Sequence, residues 1–193
     1  MKNRTLGIDP GLDRTGWAVV ENNGAAGPVL VSCGLIHTAA GTPLPQRLCE
    51  IYEEIKKVTE LFAPDEAAME EMFFLKRALT MSHTIQTRGV IMLALHQAGL
   101  NITAYPPKRV KLTISGSGSA DKKQMQRMVQ LTLKLAKVLS PDDVADAAAI
   151  ALCHIKSAPM LKQIKAQQLF LEKIKAAKKQ QLNALKKKPS AFK

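Results

Sequence analysis

Six apolar residues, Leu44, Leu48, Ile51, Ile55, Val58 and Phe62, recur at intervals of three or four, the repeat of one helix face, and Pro64-Asp65 ends the run. The segments before it follow another rule. RTLGID, GWAVVE and PVLVSCGLIHT are short runs rich in Val, Leu and Ile, broken at Pro10-Gly11 and again between Asp13 and Gly16, and closed by AAGTPLP. Such runs read as the strands of a three-stranded antiparallel meander. A helix with one apolar face next to strands that must also bury theirs calls for an α/β layer structure.

The rest of the chain continues the alternation. EAAME is short enough to be a buried strand, a second long helix is expected from about Arg77 to Gln97 with Gly99 as its stop, and NITAYPP gives a last strand closed by Pro106-Pro107. The Gly/Ser stretch ISGSGSA, residues 114–120, is expected to be a mobile loop. Val129, Leu133 and Ala136 mark a further helix face, and Ser140-Pro141 opens a final helix through AIALCHI. The economical fold is a mixed five-stranded sheet flanked by helices.

A chain of 193 residues fits one domain of ordinary size with a short appendage. Its net charge of +12 is unevenly placed. Residues 156–193 hold eleven Lys and one acid, Glu172, whereas residues 1–155 are close to neutral. The expected division is therefore a domain over 1–155 and a Lys-rich tail over 156–193, in which Leu161, Ile164, Leu171 and Ile174 have the spacing of an amphipathic helix. A one-signed basic segment suits a polyanion, and it also suits a solubilising tail. No run reaches the roughly 18 apolar residues of a membrane span, so the expectation is a cytoplasmic protein without a membrane segment. Cys33, Cys49 and Cys153 lack ligand spacing and read as free core thiols.

Four carboxylates, Asp9, Glu70, Asp143 and Asp146, stand in apolar stretches. Burying an unpaired charge is costly, so acids that converge in such settings meet a cation. Asp9 falls at the carboxyl end of the first strand, where α/β sheets place their sites, although a turn residue before Pro10-Gly11 would look the same. Either Glu70 or Glu71 ends the fourth strand, and only one of two neighbours can face Asp9. Asp143 and Asp146, three apart, share one helix face. Asp143 can equally serve the positive helix end, but Asp146, within VADAAAIAL, has no cation close in sequence. Oxygen ligands without a Cys/His cluster fit Mg²⁺ better than zinc.

LGIDPGLDRTGWAVV, MEEMFF, YPPKRVKLTISGSGSADKKQMQRMV and DDVADAAAIAL resemble, in that order, the blocks of the RuvC family of Holliday-junction resolvases over roughly residues 5 to 153. The resemblance implies a ribonuclease H-like fold, a homodimer, and an endonuclease that nicks two opposing strands of a four-way DNA junction. It further implies two-metal-ion hydrolysis with Mg²⁺, for which Mn²⁺ could substitute, and work beside the branch-migration proteins RuvA and RuvB. It carries the metal ligands and catalytic roles onto Asp9, Glu70, Asp143 and Asp146, choosing Glu70 because the family has an apolar residue before its ligand and Phe three after it. DNA contacts fall on Phe73, stacking on an exposed base, and on Lys111 and Lys122 near the cleaved phosphate. A core Phe, an exchange of roles with Phe74, and solvated surface lysines are the plain alternatives. The competing functions are a non-catalytic junction-binding protein and a related RNA-processing nuclease. The tail has no counterpart in the resemblance.

Overall fold

The structure is a computed structural model and describes residues 3–71 and 78–186. The chain divides into two units, Met1–Lys156 and Ser157–Lys193.

The first unit is built on a five-stranded sheet. Strands β1 (Asn3–Asp9), β2 (Arg14–Asn22) and β3 (Pro28–His37) form the antiparallel meander, and β4 (Glu66–Glu70) and β5 (Asn101–Tyr105) join parallel to β1, giving the order β3-β2-β1-β4-β5. Helix α1 (Leu44–Phe62) starts with Pro in its first turn, where a missing N–H costs nothing, and ends at left-handed Ala63. With α2 (Ala78–Gln97), it covers one sheet face. Leu6, Ile8, Val19, Ala67 and Met69 of the sheet pack there with Ile51, Ile55 and Ile91, Leu95 from the two helices.

The other face carries the first turns of α5 (Asp142–Lys186). A Cβ added at Gly7 would lie 2.1 Å from Ala147 O and 2.6 Å from Ala151 N, and one added at Gly16 would lie 2.1 Å from Asp143 O. Helix backbone therefore rests on strand backbone, which only glycine in the strands and small residues in the helix permit. This accounts for the alanines of VADAAAIAL, all buried from Ala147 to Ala149 together with Ile150, Ala151 and Leu152. By length and composition Asp142–Ala176 could cross a membrane, yet 67% of its most apolar window is buried within the protein, as expected of a core helix.

Several expectations are corrected. Pro107 does not merely close β5; it opens a helix α3 (Pro107–Ser115), because proline is preorganised for a first helical position, and Val110 and Ile114 bury its inner side. The Gly/Ser turn thus begins at Gly116. Ser115, Ser117 and Ser119 link it through hydroxyl hydrogen bonds, including Ser115 Oγ to Lys111 O at 2.8 Å and Ser117 Oγ with Ser119 Oγ at 3.1 Å. Helix α4 spans Lys122–Thr132, with the Asp121 side chain accepting from Gln124 N at 2.8 Å. Helix α5 runs on through Pro159 to Lys186, well beyond the AIALCHI segment. Of the cysteines only Cys153 is a core thiol; Cys33 is half-buried, and Cys49, beside the apolar stripe of α1, is exposed.

In the second unit, the described residues are helical to Lys186, and beyond Ala158 none whose side chain is described is buried.

Candidate active site

Ile8 pairs with Met69 across the parallel β1 and β4 strands, so Asp9 and Glu70 follow one step later on adjacent strand ends. Leu6, Ile8, Ala67 and Met69 belong to the α1–α2 side, and alternation turns Gly7, Asp9, Glu66 and Glu70 to the α5 side. Register thereby separates the two glutamates. Glu70 ends the strand and lines a cleft with Asp9, whereas Glu71 lies beyond it, exposed, its N–H donating to Tyr105 O at 2.7 Å.

That cleft, about 370 Å³, gathers Asp9, Glu70, Asp146, Lys111 and Lys122, with Pro107, Val110, Met125, Ala149 and Ile150 as apolar walls. Helices α3, α4 and α5 each contribute to it, which explains how residues more than a hundred positions apart meet. Asp143 is not in its lining. Arg14 Nη2 lies 2.5 Å from Asp143 Oδ2, but out of line for a hydrogen bond, so this buried oxygen has a charge beside it and no hydrogen-bond donor. Asp142 bridges the two basic groups at the rim, meeting Lys122 Nζ at 2.9 Å and Arg14 Nη2 at 3.5 Å.

The acids are electrostatically crowded. Burial, then the charges of Asp146, Glu70 and Asp143, push the Asp9 carboxyl up to about 7, against a smaller pull from Lys122. Glu70 is raised by burial and by Asp146, and Lys111 and Arg88 oppose this. Asp146 is raised by burial, which outweighs Lys122. Among the described residues, no three acidic, His or Cys side chains close around one ion by themselves. Yet the donor set fits a hard cation. The cleft offers only carboxylate oxygens, from Asp9, Glu70 and Asp146, and more negative charge than its two lysines balance, and a buried Asp143 oxygen has Arg14 beside it but no hydrogen bond.

Sequence reasoning missed Arg14, Arg88 and Asp142. Arg88 comes from α2 and donates to the carbonyl of Glu70, and Arg14 reaches acids 128 and 129 positions away. Neither contact leaves a local signal. His154 is buried, its Nδ1 2.9 Å from Tyr105 Oη and its Nε2 3.0 Å from Glu66 Oε2, which ties α5 to β5 and β4. The carboxylate of Glu66 accepts from Nε2, and Tyr105 Oη shares the hydrogen bond at Nδ1. Phe73 lies outside the described residues.

Residues 5–154 match the family model of RuvC, crossover junction endodeoxyribonuclease RuvC. A curated relative, crossover junction endodeoxyribonuclease RuvC of Chloroflexus aggregans, is 49% identical over 160 residues, covering 83% of this chain and 97% of its own. Among solved structures, Thermus thermophilus RuvC is 33% identical with a TM-score of 0.74, and the alignment covers 81% of this chain and 96% of that one. T. thermophilus RuvC in complex with Holliday junction substrate is 30% identical with a TM-score of 0.75 and the same coverage.

Proposed function

The chain belongs to the RuvC family of crossover junction endodeoxyribonucleases, and we propose that Asp9, Glu70, Asp143 and Asp146 are the acids with which it cuts a four-way DNA junction. One observation carries this assignment: Asp9, Glu70 and Asp146 share a cleft with Lys111 and Lys122, and burial plus mutual repulsion lift Asp9 to about 7. The expected occupants are two Mg²⁺ ions, with Mn²⁺ as a substitute. Bound there, divalent ions supply acidity toward a nucleophilic water and positive charge for the leaving oxygen.

The protein's own groups do the rest. Lys111 and Lys122 hold cations at the cleft edge, where the non-bridging oxygens of a scissile phosphate would lie. Arg88, bonded to the Glu70 carbonyl, fixes the end of β4 that carries this ligand. The close seating of α5 on Gly7 and Gly16 sets the height of Asp143 and Asp146 above the sheet. Phe73 stacks on a base exposed at the junction in this reading. Paired symmetric nicks need two equivalent sites, so the working form is a homodimer. In this reading it works in the cytoplasm, beside RuvA and RuvB, as the family resemblance implies.

The test is cleavage of a labelled four-way junction in Mg²⁺ or Mn²⁺ by the wild type and by Asp146→Asn. Loss of about 100-fold or more in rate, with junction binding retained, is expected of the variant. Equal rates for the two proteins would remove Asp146 from the site.

A further inference from the structure

The reaction cleft is a poor source of affinity for DNA. Three of its five charged groups are acids, and residues 1–155 as a whole are nearly neutral, although the substrate is a polyanion. The missing positive charge lies in the second unit, which holds ten Lys against one Glu and extends past the family match ending at residue 154. Its helical part, residues 157–186, is about 45 Å long at 1.5 Å per residue, about the span of one turn of a DNA duplex and part of the next. Lys162, Lys173, Lys175 and Lys179 are exposed on it; at 100° per residue Lys162 and Lys173 fall opposite Ile164 and Leu171, whereas Lys175 and Lys179 flank Ile164.

We propose that this helix is a second DNA-binding surface, which grips the phosphate backbone of duplex arms without regard to sequence. The proposal rests on the nuclease reading above for its substrate and on charge complementarity for its site. A helix with balanced charges of both signs would serve solubility as well, and at less self-repulsion; the large positive excess is what counterion release requires. The segment holds no Arg, and its cations are all Lys, point charges suited to phosphate, so the contribution is the same for any arm sequence.

The experiment uses the full chain with Lys162, Lys173, Lys175 and Lys179 all changed to Gln, and the same four changed to Arg. Binding to a four-way junction and to a linear duplex of unrelated sequence is followed against salt, together with junction cleavage at saturating protein. The Gln variant should lower the slope of log K against log salt by about 2 to 4, and weaken binding to both DNAs by about 30-fold or more at 0.15 M salt. Its saturated cleavage rate should stay within about twofold of wild type, and the Arg variant should restore the slope. An unchanged slope overturns the proposal. Unchanged binding to both DNAs with loss of binding to phosphatidylserine vesicles, run as a third ligand, overturns it in favour of a membrane surface. Failure of the wild type itself to cut the junction would instead count against the nuclease reading.

Discussion

Asp9→Asn should stabilise this protein in the presence of a chelator, although it removes the central acid of the site. The folded state holds the Asp9 proton up to about 7, whereas the unfolded chain releases it near 3.8. Between these values the folded state binds more protons than the unfolded one, so stability falls as pH rises, and the loss is complete above about pH 7. At about 1.36 kcal/mol per pKa unit the full cost is on the order of 4 kcal/mol, equivalent to roughly 8 to 16 °C in Tm for a chain of this size. Asn carries no charge and avoids it. Thermal and urea denaturation of both proteins in chelator, from pH 4 to pH 8.5, is the assay. Any packing difference between Asp and Asn is common to all pH values, so the growth of the difference with pH is the readout. Excess Mg²⁺ at pH 8 should raise the wild type by mass action and leave Asp9→Asn almost unchanged. A stability difference that stays flat with pH, or turns against Asn at pH 8, would refute the picture of an overcharged cleft.

Gly7→Ala should cost about 3 kcal/mol and slow junction cleavage at temperatures where the variant is still folded, because its Cβ meets Ala147 O and the displaced α5 carries Asp143 and Asp146. Gly89→Ala is the control: nothing lies within 4 Å of the added carbon in α2, and a gain of about 1 kcal/mol by denaturant titration is expected. His154→Leu should cost about 3 kcal/mol in the same titration through the lost bonds to Tyr105 and Glu66; a neutral result would mean that the bridge to β4 and β5 adds nothing to folding.

The apolar spacing of α1, the meander and the short EAAME strand were all legible in the chain, because each is a local periodicity tied to one buried face. Asp9 and Asp146 were legible for the opposite reason, as charges where the local pattern wants none. Glu70 needed more: its separation from Glu71 follows from the pairing of Ile8 with Met69, a register that no local signal encodes. Helix α3 was hidden because Pro106-Pro107 looks the same as a strand stop and as a helix start. The length of α5 was hidden because its buried half and its exposed half follow different rules, with Pro159 between them. Arg14, Arg88 and Asp142 act through side chains that meet only after the sheet and helices have assembled.

The seating of α5 on Gly7 and Gly16 has a bearing on how the site can change over time. Most helix-on-sheet layers meet through a cushion of side chains, which can be thickened or thinned by substitution so that the helix drifts by fractions of an ångström. Here the cushion is absent, and peptide geometry sets the gap. The heights of Asp143 and Asp146 are thus beyond the reach of gradual adjustment at these two contacts: a bulkier residue at either glycine must move the helix at once or not be accepted. Variation is then directed to the ligating side chains themselves and to the rim around them, where Arg14, Asp142 and Lys122 have room to exchange partners.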